Sequence, residues 1–255
     1  MSDPTILLIT CVVFLLAGLI KGFVGFGLPL IGVGMMTALV GLQTAIALLL
    51  VPALITNIWQ GFTGAYTAAL FRRFWPCFIA TMLFTWPGTV ALARVNPDYF
   101  SALLGLLLIV YVLLSLFDMR FVVPRNLETA FNPIVGVMNG LLAGMTGAFT
   151  MPGVVYLQST QLPRDELVQA LGMLFTLATI GLFVSMGSQQ LLTGKLGLIS
   201  AAAVPPTFLG MFIGARLRMR TSEERFRVYF LLALGFLGFY ITARAVLAIA
   251  ILPGP

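Results

Sequence analysis

Long apolar runs, interrupted only by glycine, proline or an isolated charge, fill almost the whole chain. Of its 255 residues, 60% are hydrophobic and 9% are charged, and the mean hydropathy is +1.07. Soluble domains carry about 25% charged residues, so this chain lacks the polar surface needed to enclose a core in water. Lipid must be the solvent for most of it. This excludes a cytosolic enzyme and a nucleic-acid-binding protein.

The apolar runs predict an all-α membrane protein with ten membrane elements. They lie at 5–20, 24–40, 43–62, 76–93, 99–117, 133–149, 150–160, 166–187, 196–215 and 226–250. The first run, before Lys21, and the seventh are too short to cross a hydrocarbon core of about 30 Å. Both are therefore candidates for broken or re-entrant helices. The N-terminus lacks the positive start of a secretory signal, so the first run is expected to remain as the first span.

Positive charge is distributed unevenly over the loops between these elements. Of the fourteen Lys and Arg residues, eleven fall in loops one, three, five, seven and nine: Lys21, Arg72, Arg73, Arg120, Arg125, Arg164, Arg216, Arg218, Arg220, Arg225 and Arg227. Because loops rich in Lys and Arg stay in the cytoplasm, both termini are predicted to be extracytoplasmic. An eight-span alternative, with both short elements re-entrant, would separate Arg72 and Arg73 from the arginines of 216–227, so ten elements are preferred.

The two halves of the chain resemble each other. Residues 18–25 (GLIKGFVG) align with 140–147 (GLLAGMTG) at a constant offset of 122, with four identities in eight positions. The fourth and ninth elements each carry a helix breaker, Pro87-Gly88 and Pro205-Pro206. Five elements per half would reverse the orientation of the second half. We therefore predict two inverted repeats, residues 1–120 and 121–255, a layout typical of secondary transporters.

Glycines cluster where the second element begins, at Gly22, Gly25 and Gly27. Glycine permits positive φ and close backbone approach, and the following helix would present free N–H groups and its positive dipole end to an anion. The second half has a similar break, with candidates at Gly144, Thr146, Gly147 and Thr150. Two half-helix N-termini meeting near the midplane could bind an oxyanion without a full positive charge. Alternatively, these small residues serve only close helix packing.

Three polar side chains near the first break are further candidates. Asn57 and Gln60 lie inside the third apolar run, and amides in hydrocarbon either join helices or line a polar cavity. We expect them beside the first glycine break. Lys21 immediately precedes that break, and it either extends to the interface as an anchor or attracts the anion.

Several kinds of chemistry are excluded by what the chain lacks. It contains no histidine, and its eight acidic residues all lie outside or at the ends of the predicted elements. A buried carboxylate that carries protons is therefore not expected, and neither is a metal site, a cofactor or an enzymatic activity. Cys11 and Cys77 lie in apolar runs and are interpreted as small core residues rather than a disulfide or metal pair.

Short motifs in both halves give the chain a family resemblance. They are Lys-Gly-x-x-Gly-Phe-Gly at 21–27, Pro52 with Asn57-x-x-Gln60, and a second glycine turn followed by Pro-Gly-Val-Val-Tyr-Leu at 152–157. With these motifs the chain resembles the sulfite exporter TauE/SafE family of bacterial membrane transporters. The resemblance implies site residues at the matching positions: Gly22, Gly25, Phe26, Gly27, Asn57, Gln60, Gly144, Gly147 and Pro152.

The resemblance also implies a multi-pass carrier in the bacterial inner membrane. Its partners would be the lipid bilayer and a small sulfur-containing anion such as sulfite, thiosulfate or an organosulfonate, and a homo-oligomer is possible. Two alternatives remain open from the residues. One is a non-transporting helical membrane subunit or assembly factor, and the other is a passive anion channel.

Overall fold

A computed structural model describes residues 3–117, 122–149, 151–219 and 223–251 of the protein. The regular elements in these ranges are all α-helices: α1 Asp3–Val24, α2 Leu28–Val40, α3 Leu42–Phe62, α4 Thr67–Arg94, α5 Pro97–Leu116, α6 Arg125–Thr146, α7 Gly153–Ser159, α8 Arg164–Ser188, α9 Gly194–Ala202, α10 Val204–Arg218 and α11 Glu223–Ile251. The predicted all-α class is confirmed.

Seven stretches of the described chain are long and apolar enough to cross a membrane. They are Pro4–Val24, Leu42–Phe62, Thr67–Arg94, Pro97–Leu116, Arg164–Ser188, Gly194–Arg218 and Arg227–Ile251. Helix α6 has 22 residues but is not among these stretches. Helices α2 and α7 have only 13 and 7 residues. The chain is thus a multi-pass membrane protein, while the number of ten elements stays a prediction.

Two predicted element boundaries are wrong. The first element is not short, because α1 continues through Lys21 to Val24 and spans 22 residues. The fourth element begins earlier than expected, and Arg72 and Arg73 therefore lie within α4 rather than in a loop. In both cases a basic side chain near a helix end does not stop the helix, since Lys and Arg are good helix formers.

The two predicted helix breakers also behave differently. Helix α4 passes through Pro87 without interruption, and a neighbouring glycine, Gly88, lets the backbone of α6 approach closely at Leu141. Neighbouring helices make such prolines tolerable inside membranes. In the ninth element a new helix, α10, starts at Val204 with proline in its first turn. Proline is favoured there because its missing N–H would have no partner within the helix.

The helices group into two compact units. Unit 1 contains Met1–Pro52, Arg94–Met119 and Thr193–Pro255, and unit 2 contains Ala53–Ala93 and Arg120–Leu192. Each unit draws helices from both halves of the sequence, so the units are not the predicted repeats. The repeats at 1–120 and 121–255 stay a prediction.

Unit 1 is built around glycine-mediated packing between helices. Gly18 and Gly22 of α1 face the backbone of α10, and a Cβ atom at either position would collide with the carbonyl group of Thr207 or Met211. Gly210 and Gly214 of α10 face the backbone of α1 in return, at Leu15 and Leu19. This is the small-xxx-small pattern, in which small residues let two helix backbones touch.

Unit 2 contains helix packing of the same kind. Gly136, Gly140 and Gly144 follow one another at four-residue spacing on α6 and face the backbone carbonyls of Cys77, Thr81 and Thr85 on α4. Helices α3 and α8 approach closely where Gly61 meets Gly172. Unit 2 is therefore held together by close backbone approach rather than by large interlocking side chains alone.

Candidate functional site

The first glycine break joins α1 to α2 in unit 1. Gly25 has φ 94° and Gly27 has φ 114°, so both occupy a region that residues with a Cβ rarely adopt. The Gly25 N–H donates to the Lys21 carbonyl and closes α1, while the Gly27 carbonyl accepts from the Ile31 N–H and opens α2. The break therefore consists of two turns that require glycine, with a new helix directly behind them.

The N-terminus of α2 is enclosed by protein. Gly27 provides no side-chain cap, and the side chains of Phe26, Leu28 and Leu30 around it are buried. The first N–H groups of a helix have no partner within the helix, and the helix dipole places partial positive charge there. An anion would match this end of α2 in charge and in hydrogen bonding.

Lys21 and Gly22 precede the break within α1, and Lys21 is buried while Gly22 is half-buried. The Lys21 side chain is only 2% exposed, which disfavours the interpretation as an anchor extended to the lipid interface. Gly22 packs against α10, so close helix packing, the alternative role, explains this glycine.

The second break joins α6 to α7 in unit 2. Gly147 ends α6 with φ 69° and donates its N–H to the Ala143 carbonyl. The Thr146 hydroxyl donates to the Leu142 carbonyl and accepts from the Ala148 N–H. Pro152 caps α7. Thr150, another predicted site residue, lies outside the described residues.

The predicted site residues of this half therefore have structural tasks as well. Gly144 packs against α4. Gly147 has the left-handed conformation that ends α6, and the Thr146 hydroxyl accepts a hydrogen bond from the Ala148 N–H just after the helix. The role of these residues in binding stays a prediction.

The two amides predicted in the third run lie in unit 2 on α3. Asn57 is fully buried. Gln60 is half-buried and donates from Nε2 to the Val168 carbonyl on α8 at 2.7 Å. Gln169 of α8 donates in the opposite direction, to the Gly61 carbonyl at 3.2 Å. Gln60 thus joins two helices, one of the two roles weighed for it.

The structure distributes the predicted residues over both units. Unit 1 holds Lys21, Gly22, Gly25, Phe26 and Gly27, and unit 2 holds Asn57, Gln60, Gly144, Thr146, Gly147 and Pro152. That Asn57 and Gln60 lie beside the first break stays a prediction, as does the meeting of the two breaks.

Three buried polar residues form a stripe on α6, of which the sequence indicated only Asn139, as a polar side chain inside an apolar run. Glu128, Asn132 and Asn139 are 5%, 3% and 0% exposed. The first two are four residues apart and Asn139 follows two turns later, so the three share a helix face. The signal was present in the sequence, since a polar stripe among glycines indicates a helix that buries polar groups against neighbours.

A partly buried ion pair lies at the start of this stripe. Arg73 of α4 donates from Nε and Nη2 to the two carboxylate oxygens of Glu128, at 2.8 and 2.6 Å. Asn132 donates to the Arg73 carbonyl and accepts from the Tyr156 hydroxyl. Glu128 lies at a helix end as predicted and is buried there. The expectation that no buried carboxylate carries protons stays a prediction.

A cavity of about 480 Å³ opens beside this ion pair in unit 2. Its polar lining includes Arg73, Arg125, Glu128, Thr160, Gln161 and Glu166. Two arginines and two glutamates balance each other in charge. The cavity is thus polar without favouring either an anion or a cation through net charge.

The metal-binding chemistry of the described residues is limited. No group of three or more Cys, Asp or Glu side chains among them could hold a metal ion. Both cysteines are free thiols; Cys77 is buried and Cys11 is half-buried. The interpretation of Cys77 as a small core residue fits its full burial.

Comparison with known proteins gives one match. The family model described as "Sulfite exporter TauE/SafE" matches residues 10–241, which include most of α1, all of α2 to α10, both glycine breaks and most of α11. No curated protein and no solved structure matches the chain significantly.

Proposed function

Because the chain belongs to the sulfite exporter TauE/SafE family, we propose that it carries a sulfur oxyanion such as sulfite or thiosulfate, or an organosulfonate, by alternating access around its two glycine breaks. The family is one of membrane transporters of the sulfite-exporter type, not of enzymes. The identity of the anion, the alternating-access mechanism and the location in the inner membrane are our proposals.

The observation that carries the proposal is the pair of glycine breaks. Each one ends a 22-residue helix, α1 or α6, and each has a glycine at positive φ directly after it, Gly25 or Gly147. Interrupted helices at matching positions of two repeats mark the substrate sites of many secondary transporters. Irregular backbone at membrane depth is tolerated where it is buried in protein or lines a cavity.

The helix boundaries support the proposed repeats beyond the short alignment. Helix α6 begins and ends 122 residues after α1, and α8 begins 122 residues after α3. The close packing of α1 on α10 in unit 1 has a counterpart in that of α4 on α6 in unit 2. Under the predicted repeats, α10 corresponds to the second part of α4, so the two helix pairs would be equivalent.

We propose that the anion binds at the predicted site residues. The buried N-terminus of α2 would supply hydrogen-bond donors and a favourable dipole, and the amino group of Lys21 would add a further donor close to the first break. Asn57 would supply a neutral donor. Donors without a full charge can replace hydration and still release the ion.

Transport by purified protein in liposomes tests the function. Vesicles containing the full chain should exchange external ³⁵S-sulfite for internal unlabelled sulfite faster than protein-free vesicles do. The rate should saturate with concentration. Sulfate and chloride serve as competing anions that define selectivity.

The same assay separates the alternatives. A carrier shows exchange that accelerates when unlabelled sulfite is present on the opposite side, because the loaded carrier returns faster. A passive channel shows no such acceleration. Vesicles no more permeable than the protein-free control for any anion of the panel would refute the proposal and favour a non-transporting membrane subunit.

A further inference from the structure

Asn139 occupies an unusual position on α6 beside the second break. Its side chain is 0% exposed, and its Oδ1 atom accepts a hydrogen bond of 3.0 Å from the Gly153 N–H at the start of α7. Its Nδ2 atom has no hydrogen-bond partner among the described residues. Two buried N–H bonds of one amide are therefore left without an acceptor in this part of the chain.

The orientation of this amide is fixed by its neighbour. The Gly153 N–H can only donate, so the amide oxygen must face it; the reversed amide would bring two donors together. The NH₂ group consequently points away from Gly153. The orphaned donors are thus a consequence of the packing of α6 on α7, not of an arbitrary choice between oxygen and nitrogen.

A second asparagine on the same helix provides a comparison. Asn132 is also buried, but its Nδ2 donates to the Arg73 carbonyl and its Oδ1 accepts from Tyr156. Buried polar groups in folded proteins are almost always paired, and an exception calls for a specific explanation such as a ligand or an ordered water. Of these two buried asparagines, Asn139 is the exception.

We propose that Asn139 is a substrate-binding residue that donates its amide N–H groups to an oxygen of the transported oxyanion. The inference rests on the proposed function and adds a residue to its site. An NH₂ group only donates, so the ligand must be an acceptor. A small oxyanion presents several acceptor oxygens, and a neutral amide holds it without a competing charge.

The substitution Asn139→Asp tests the role directly. A carboxylate keeps the oxygen that accepts from Gly153 but removes both donors and places like charge against the anion. The matched control is Asn132→Asp, which changes the same atoms at a buried position whose amide is paired. Sulfite binding to the full-length protein is measured by calorimetry in detergent.

The expected result is at least a tenfold weaker affinity for sulfite in Asn139→Asp and less than a twofold change in Asn132→Asp. Equal affinities of the wild type and a folded Asn139→Asp variant would overturn the role of Asn139 while leaving the proposed function intact. A wild type that binds none of sulfite, thiosulfate and a small sulfonate would overturn the proposed function and this inference with it.

A measurement on the unmodified chain covers the case in which Asn139→Asp does not fold. Selenite is a close analogue of sulfite whose selenium can be located by anomalous scattering. We expect one selenite oxygen within hydrogen-bonding distance of Asn139 Nδ2, with the selenium one bond further away. Selenite bound elsewhere, with only a water beside Nδ2, would refute the proposal.

Discussion

Individual glycines at the breaks are required by the backbone conformation, and this requirement determines how substitutions there should act. Gly25 has φ 94°. A β-branched residue cannot adopt this conformation without strain, which costs about 1–3 kcal/mol. Gly25→Val should therefore distort the turn that precedes α2 and remove the N–H groups from their binding position.

A substitution of Asn57 should have a milder effect, measured together with Gly25→Val as sulfite binding to the purified protein. If it donates to the anion, Asn57→Leu should weaken sulfite binding by about 1–3 kcal/mol, the range for a lost hydrogen bond to a charged group, while the protein still inserts and folds. Gly25→Val should weaken sulfite binding more than Asn57→Leu does. Unchanged affinity in both variants would place the site elsewhere and favour a packing role for the glycines.

The ion pair between Arg73 and Glu128 predicts a different pattern, seen in stability rather than in binding. The Glu128 side chain is 7% exposed and the Arg73 side chain 23%. Glu128→Gln leaves a half-buried guanidinium without its carboxylate partner, and we expect a loss of about 1–3 kcal/mol in the free energy of unfolding.

Removing both charges should restore much of that loss. In the double variant Arg73→Met with Glu128→Met, no uncompensated charge from this pair is left inside the protein. Thermal melting of the purified single and double variants measures the difference. A double variant as unstable as the sum of the single variants Arg73→Met and Glu128→Met would show that the two side chains act independently.

At the scale of helices, the sequence patterns predicted where several helices lie better than they predicted whether a helix is interrupted. The apolar runs placed the helices of α3, α5, α8 and α11 within a few residues. The Pro87-Gly88 pair predicted an interruption that does not occur, because Gly88 packs against α6 and neighbouring backbone supports the proline. No single-sequence pattern reveals which proline a neighbouring helix will stabilise.

The glycines of the candidate site show a similar limit. The sequence identified the breaks at Gly25 and Gly147, where positive φ demands glycine. It could not separate these from Gly22 and Gly144, which face neighbouring helix backbones. Both kinds of glycine follow small-residue spacing, and only the partner helix distinguishes a turn from a packing position.

The packing of α1 on α10 can be tested with two matched glycines. A methyl group at Gly214 would collide with the Leu19 carbonyl, whereas one at Gly197 of α9 meets no atom within 4 Å. Gly214→Ala should lower stability by about 1–3 kcal/mol through overpacking. Gly197→Ala should be neutral or stabilise by up to about 1 kcal/mol through helix propensity.

Melting temperatures of the two purified alanine variants report this difference. Both substitutions add the same methyl group to a helical glycine, so chemistry is held constant and only the surroundings differ. If Gly214→Ala melted at the wild-type temperature, the close approach of α1 and α10 would be refuted.

Over the whole molecule, the sequence predicted the all-helical class, the membrane solvent and the family. It did not predict that each compact unit takes helices from both halves of the chain. Close approaches such as that of Gly61 to Gly172 join residues far apart in sequence. They depend on which helix faces which, and a hydropathy pattern carries no such pairing information.

The orientation in the membrane is a property of the whole chain, and the charge asymmetry predicts it. Eleven of the fourteen Lys and Arg residues lie on one predicted side, and the positive side remains in the cytoplasm. The α9–α10 stretch, Gly194–Arg218, counts as one possible span. Its two ends should therefore face opposite compartments, with Arg216 and Arg218 in the cytoplasm and both chain termini outside.

Cysteine labelling at these two ends tests the orientation. Met219 is 81% exposed, and a Cβ atom at Gly194 meets no neighbour within 4 Å, so Met219→Cys and Gly194→Cys should both fold. In a background without Cys11 and Cys77, an impermeant thiol reagent applied to intact cells should label Gly194→Cys alone. Permeabilised cells should show labelling of both variants. Labelling of Met219→Cys from outside intact cells would invert the proposed topology, since the arginine-rich end of α10 would then lie on the extracytoplasmic side.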